Sequence, residues 1–478
     1  MATTAGAKKG LWSTIRRIAA SDRISGLIML GFALTGLVLA NLPATAHAFE
    51  TVAETHLFIP YTNLDLPIGH WAQDGLLTIF FLTVGLELKQ ELTTGSLANP
   101  KAAAVPMLCA VGGMIAPPIL FLAVTALFSQ IGPGEPGTLI LTTTGSSIPF
   151  SEMSHGWAVP TATDIAFSLA VLALFAKALP GSIRAFLMTL ATVDDLLAII
   201  LIAVFFSSIN AWYWFIGIAV CAAIWAYLVR LKKVPWIAVG IVGILAWIMM
   251  FEAGVHPTLA GVLVGLLTPS REMHGELSPR AERYANKLQP FSALLALPIF
   301  ALFATGVHFE SVSPLLLASP LVIALIVALV VGKPLGIITT AWLATHVGGL
   351  KMAKGLRVRD MIPAAVACGI GFTVSFLIAS LAYKNAELSA EARFGVLVAS
   401  LIAAAISGVL LSRQSKRFEK AAAAQAAAAE ALADAEAGES IDGDGAGQTG
   451  RTTKSTTPTE HPGTLADGTA SVEIDFRH

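Results

Sequence analysis

Three acids and one base stand where a membrane would exclude charge: Asp164, the adjacent pair Asp194 and Asp195, and Lys333. Each lies inside a long apolar stretch, and each charge in hydrocarbon costs at least about 2.5–3.5 kcal/mol. Buried ion pairing alone does not account for them, because three carboxylates share one ammonium and two are left over. Surplus negative charge in a low dielectric has to be neutralised by cations or protons. A carboxylate that releases its proton gains a reason to hold a metal cation, and the converse holds too. Two small cations then compete for one set of oxygens.

Asp194 and Asp195 are successive residues of a helical stretch, so their side chains point about 100° apart. One can face a water-filled funnel while its neighbour turns to another helix, where Lys333 pairs with it. Thr163 and Thr192 add hydroxyl oxygens close by, and hard oxygen ligands suit sodium or lithium. Pro160 lies four residues before Asp164, and Cys368-Gly369-Ile370-Gly371-Phe372-Thr373 is a glycine-rich interruption in another apolar stretch. Where such breaks unwind a membrane helix, backbone groups become ligands. Asp164 would balance the positive N-terminal helix ends and Lys333 the negative C-terminal ends.

The elements that position these residues follow from hydropathy. Only 13% of the 478 residues are charged and 55% are hydrophobic, which too few polar side chains accompany for a water-covered surface. A membrane span needs roughly 20 mostly apolar residues. Such stretches fall near 24–42, 73–88, 102–128, 158–178, 183–207, 210–229, 234–250, 254–269, 289–306, 315–345, 361–382 and 393–412, about twelve in all.

Loop charge tests this count. Lys8, Lys9, Arg16 and Arg17 precede the first span, and basic residues recur in every second connection: Lys89 and Lys101, Lys177 and Arg184, Arg230 to Lys233, Arg271 to Lys287, Lys351 to Arg359. The intervening connections have none, except the eleventh with Lys384 and Arg393. Both termini are therefore expected in the cytoplasm. The expected organisation is a cytoplasmic segment 1–22, a transmembrane domain 23–413 and a disordered cytoplasmic tail 414–478, alanine-rich and then Gly, Ser, Thr and Pro-rich. The fold class is an all-α membrane protein. The two interruptions fall in the middle members of spans 3–5 and 10–12, triplets that enter from opposite sides. This predicts an inverted repeat with two broken, crossing helices, spans 4 and 11.

Cys109, Cys221 and Cys368 sit in apolar runs, with neither a disulfide framework nor metal-ligand spacing. The formal net charge of −1 gives no reason to expect a nucleic-acid partner. An intramembrane aspartyl protease would need its acids on different helices near a Gly-x-Gly-Asp sequence, which is absent, so no enzyme is expected. A sodium-coupled organic-solute symporter of similar fold is the closest alternative, and a passive cation channel a more distant one.

Several segments together resemble one family. GLLTIFFLTVGLELKQE (75–91), GWAVPTATDIAFSLAVLAL (156–174), ATVDDLLAII (191–200), GVHPTLAGV (254–262), GKPLG (332–336) and CGIGFTVSF (368–376) are similar to the NhaA-type sodium/proton antiporters, over about residues 15–412. An inverted repeat is an established feature of that family. The resemblance implies electrogenic export of Na+ or Li+ in exchange for H+ across a bacterial inner membrane, by alternating access and without a cofactor, with roles in pH homeostasis and salt tolerance. It implies Asp195 as the principal ion and proton site, Asp194 as the partner of Lys333, and Asp164 and Thr163 beside them. It also implies a homodimer in the lipid bilayer, joined partly through a β-hairpin within 43–72. Glu87, Glu91 and His256 match positions of the cytoplasmic funnel or pH-responsive network. Two departures stand out. RAERYANKLQP (280–290) lacks the His and acid-His pattern at the start of the ninth helix, which weakens the expectation of strong pH activation. Residues 129–156 are longer than the family norm.

Overall fold

The computed structural model describes residues 18–19, 21–58, 64–132, 135–141, 145–176, 179–306, 314–352 and 356–442. Lys8, Lys9, Arg16, Arg17, Lys177 and Lys354 lie outside these residues, as does the tail from 443.

The chain is mostly helical. Helices α1 (Asp22–Asn41), α2 (Leu77–Thr93), α3 (Pro100–Ile131), α4 (Ile165–Phe175), α5 (Gly181–Phe205), α6 (Trp214–Leu228), α7 (Trp236–Glu252) and α8 (Leu259–Leu267) come first. They are followed by α9 (Arg280–Ala304), α10 (Pro320–His346), α11 (Ile362–Ala367), α12 (Phe372–Ala382) and α13 (Ala386–Asp442). Six helices are long and apolar enough to cross a membrane, and up to eight if each of two bent pairs is one span. The other stretches read as spans form shorter helices, α2, α6, α7 and α8. The protein is an all-α membrane protein. Many large apolar side chains face outward, among them Ile237 at 82% and Val204 at 65% exposure, as a lipid solvent permits.

Two short hairpins decorate the helices. A helix Ala46–Glu54 leads into β1 (His56–Phe58), which pairs antiparallel with β2 (Asp65–Pro67) in the register His56 to Pro67. The hairpin expected within 43–72 is therefore present. The long connection after α3 contains a second one, β3 (Thr138–Ile140) against β4 (Ser147–Pro149). Its Leu139, Leu141 and Ile148 are buried, so this segment packs onto the helices.

Two devices set the helix register. Wide π turns at Ser292–Ala296 and Ala328–Gly332 interrupt α9 and α10. Each stands just before a proline, Pro298 or Pro334, whose missing N–H and ring bulk break the regular ladder. The second turn ends immediately before Lys333. At the α3–α10 crossing a Cβ on Gly336 would lie 2.1 Å from the Gly112 carbonyl oxygen, so only glycine lets the backbones touch there.

The last helix runs on to Asp442, past residue 414 where the cytoplasmic tail is expected to begin, and takes in its alanine-rich run. Alanine is the strongest helix former, and 12 of the 17 residues from Ala421 to Ala437 are alanine. Residues from Lys420 form a separate unit whose side chains, where described, are exposed.

A polar clip closes one end of the bundle. Arg280 is 1% exposed, and its Nη1 donates to the carbonyls of Val229 and Leu231, each at 2.7 Å. Its Nη2 meets Glu276 at 2.7 Å, which Arg283 also reaches at 2.8 Å. The hydrogen bond from Arg280, then the two guanidinium charges, hold the Glu276 carboxyl below its usual 4.5. The ion pair therefore contributes stability that is full above that value and lost as pH falls through the lower folded value. Replacement by Glu276→Gln should lower the thermal midpoint near neutrality, and the gap from wild type should close as pH drops below 4.5. A gap independent of pH would remove the ion pair from the clip. Arg280→Ala should cost roughly 3 kcal/mol, because two buried carbonyls lose their donor.

Candidate functional site

The site is built where two helices break. The first break separates a 3-10 stretch, His155–Thr161, from α4, with a bend of 50°; the second separates α11 from α12, with a bend of 58°. Pro160 stands at the end of the 3-10 stretch. At the second break a Cβ on Gly369 would lie 2.5 Å from the Leu329 carbonyl oxygen, so glycine there admits the backbone of α10. Gly371 begins the turn into α12, with its Cβ position directed at the flexible Ser375 hydroxyl.

The breaks lie against each other. The Asp164 backbone N–H donates to the Ile370 carbonyl at 2.7 Å, and the Thr163 hydroxyl donates to the Cys368 carbonyl at 2.9 Å. Four half-helix ends therefore converge in the protein interior, and each has a side chain of suitable sign. Asp164 caps its own helix through Phe167 N–H at 2.9 Å. Its other oxygen accepts from the Thr373 N–H at 3.2 Å and hydroxyl at 2.8 Å, at the start of α12. One carboxylate thus serves two positive helix ends. The negative ends are met by donors. Lys333 Nζ donates to the Thr161 carbonyl, and the Ser168 hydroxyl to the Ala367 carbonyl at 2.8 Å.

Lys333, 0% exposed, also pairs with Asp194 at 2.7 Å. The adjacent acid turns the other way. Asp195 lines a cavity of about 430 Å³ with Thr192, Glu87, Arg184 and Gln289. Among the described residues, Asp194 Oδ1 and Asp195 Oδ1 are buried without a hydrogen-bond partner. Buried carboxylate oxygens without a partner are rare and costly. They are also what a small desolvated cation or a proton requires.

The structure thus brings Asp164, Thr163, Asp194, Asp195, Lys333, Pro160, Gly369 and Gly371 together. Glu87 lies on the cavity wall, whereas Glu91 does not: its carboxylate accepts from Ser96 N–H at 2.9 Å and hydroxyl at 2.8 Å, closing a helix end. The Thr192 hydroxyl lines the cavity but donates to the Met188 carbonyl at 2.8 Å. His256 stands apart from the cavity and faces Asp74 at 3.5 Å, with its other ring nitrogen 2.6 Å from the Thr258 hydroxyl.

A match to the model of the Na+/H+ antiporter 1 family covers residues 16–145 and 138–411. The chain belongs to that family. It is 96% identical to a Na(+)/H(+) antiporter NhaA of Bifidobacterium longum, over all of both chains. It is 87% identical to one of Bifidobacterium breve, again over both complete chains. A more distant relative, Na(+)/H(+) antiporter NhaA 1 of Kineococcus radiotolerans, is 38% identical over 92% of this chain and 96% of its own. Membership of the Na+/H+ antiporter 1 family makes the chain a membrane transporter and not an enzyme, with no cofactor to supply.

Several residues of the site were not singled out from sequence. Asp74 lies just inside the second apolar stretch and qualified as an acid in the membrane. Thr373 stood in the glycine-rich segment, but nothing in that segment told its hydroxyl from others. Arg184 and Gln289 read as loop and helix-end residues, and only the packing of α5 and α9 around one cavity places them together.

Truncation of Lys333 leaves Asp194 buried against apolar walls. Lys333→Ala should therefore cost about 3–5 kcal/mol, read as a lower thermal midpoint, and Asp194→Asn in the same chain should restore much of it. A midpoint equal to wild type in Lys333→Ala would show that the pair carries no stability.

Proposed function

We propose that this chain exports Na+ or Li+ in exchange for H+ across a bacterial inner membrane. Exchange is electrogenic and proceeds by alternating access, with both cations competing for the aspartate pair. The observation that carries this is the pair of buried, unpartnered oxygens, one on Asp194 and one on Asp195, with a single ammonium nearby. Fully ionised, Asp164, Asp194 and Asp195 hold two negative charges more than Lys333 balances, so metal ion and protons compete for the same oxygens and one metal ion can be exchanged for more than one proton. Competition of this kind couples the two flows with no separate gate.

Each residue has a part. Asp195 is the principal binding carboxylate, since it alone of the three acids lines the cavity. Asp194 is held by Lys333 and offers its second oxygen. Asp164 and Thr163 keep the crossing in shape, and Thr163 retains lone pairs toward the site. Glu87 bears on the approach through the cavity. Glu91 and His256 remain as pH-response positions, acting at a distance through the helix end and through the Asp74 contact.

The wider arrangement belongs to the same reading: twelve spans, an inverted repeat of spans 3–5 and 10–12 with spans 4 and 11 broken and crossing, and both termini in the cytoplasm. Segment 1–22 precedes the transmembrane domain 23–413, and 414–478 is a cytoplasmic extension. Two copies associate in the bilayer, with the β1–β2 hairpin contributing to the contact; its Leu57 and Phe58 are exposed at 49% and 63%.

Liposomes holding the purified chain and a lumenal pH dye test the proposal. Addition of Na+ or Li+ should move protons against the cation in wild type and fall to the level of empty vesicles in Asp195→Asn. Proton movement unchanged in that variant would take Asp195 out of the site. Sodium flux indifferent to a pH gradient would point to a channel, and sodium flux without proton countermovement to a symporter.

A further inference from the structure

A second cavity, of about 790 Å³, lies far along α10 from Lys333, between the end of that helix and the segment leading into α11. Its walls include Thr339, Trp342 and His346 on one side and Leu350, Arg357 and Arg359 on the other. Leu335, Thr339, Trp342 and His346 follow one another at four, three and four residues, so they form one stripe of α10. All four are exposed, Leu335 at 48% and Trp342 at 50%. The stripe is apolar at its lower end and ends in a Trp–His stack, ring centroids 5.2 Å apart and 18° from parallel. Trp342 stands near the end of the helix, and tryptophan is enriched where acyl chains meet headgroups.

Both arginines are exposed, and among the described residues neither forms an ion pair. The one acid beside them, Asp360, accepts from the Arg357 backbone N–H at 3.2 Å. Two guanidiniums without an ion-pair partner among the described residues therefore share a groove that continues into an exposed helix stripe with an apolar lower end. Guanidinium matches a phosphate oxygen pair in geometry as well as charge.

We propose that this groove binds an anionic phospholipid. Its phosphate sits between Arg357 and Arg359, its glycerol region against Trp342 and His346, and an acyl chain runs along Leu335. The bound lipid joins α10, which carries Lys333, to the segment that begins the second broken helix. It therefore braces two walls of the ion site from outside. The inference does not depend on which ions the site carries.

The test uses the full chain in detergent with three probes: dioleoylphosphatidylglycerol, dioleoylphosphatidylcholine and sodium phosphate. Lipid retention is read by native mass spectrometry and the thermal midpoint by unfolding. Wild type should retain phosphatidylglycerol in preference to phosphatidylcholine and be stabilised by it. Arg357→Gln with Arg359→Gln should weaken phosphatidylglycerol binding roughly thirtyfold, at about one-fifth of the affinity kept per arginine lost. Both side chains are exposed, so the variant without lipid should melt as wild type does. Trp342→Ala should weaken the lipid while leaving its charge preference intact. Undiminished phosphatidylglycerol binding in the double variant, equal binding of the two lipids, or stabilisation by inorganic phosphate alone equal to that by lipid would each overturn the proposal.

Discussion

Four half-helix ends brought together in a low dielectric are the constraint that organises this molecule. Each end exposes backbone groups with a partial charge, and no water is available to screen them. The crossing is tenable because side chains of suitable sign stand at the ends: Asp164 between the two positive ones, Lys333 and the hydroxyls of Thr163 and Ser168 on the negative ones. Two acids close in space thereby acquire opposite characters. Asp164 accepts three hydrogen bonds and is consumed by the architecture. Asp195 keeps a bare oxygen and faces a cavity. Identical side chains differ in role because one is saturated by backbone and the other is not.

That division requires Lys333 to arrive at a particular place, and backbone chemistry brings it there. The π turn Ala328–Gly332 ends just before it, and Pro334 accounts for the lost ladder bond. Gly112 and Gly336 let α3 and α10 touch, while Gly369 admits the α10 backbone beside the second break. A methyl group at any of these positions would push α10 outward. The ammonium would then lose both the Thr161 carbonyl and Asp194. Substitutions at these uncharged positions are thus tied to the site through close backbone approach.

Much of this was legible in the sequence because charge is so expensive in lipid. Asp164, Asp194, Asp195 and Lys333 announced themselves by residue type alone, and Pro160 and the Cys368–Phe372 glycines by their power to interrupt a helix. The surplus of acid over base could be counted before any coordinates. What stayed hidden depends on three-dimensional neighbours. Thr373 is one of many threonines until its hydroxyl is found on Asp164. Glu91 and Glu87 differ by one helical turn, yet Ser96 captures the former and the cavity receives the latter. Asp74 sits near the edge of its apolar stretch, and only the fold sets His256 against it. The alanine-rich run past Lys420 has no core to bury, and its helix rests on intrinsic propensity alone.

On the proposed exchange, the wall of the cavity leading to Asp195 bears on where ion selection occurs. Glu87 and Arg184 both line it, so the approach carries both signs. Opposite charges on one wall partly offset each other for an ion passing between them. The proposed place of selection lies deeper, at the buried oxygens of Asp194 and Asp195 that have no partner among the described residues. There the shortage of positive charge is fixed by Lys333 being alone and already paired. A change at Glu87 or Arg184 alters how ions reach the pair, whereas a change at Lys333 alters how many charges the pair can accept. On that proposal, access and binding are set by different residues: Glu87 and Arg184 on the cavity wall, and Lys333 behind it on Asp194.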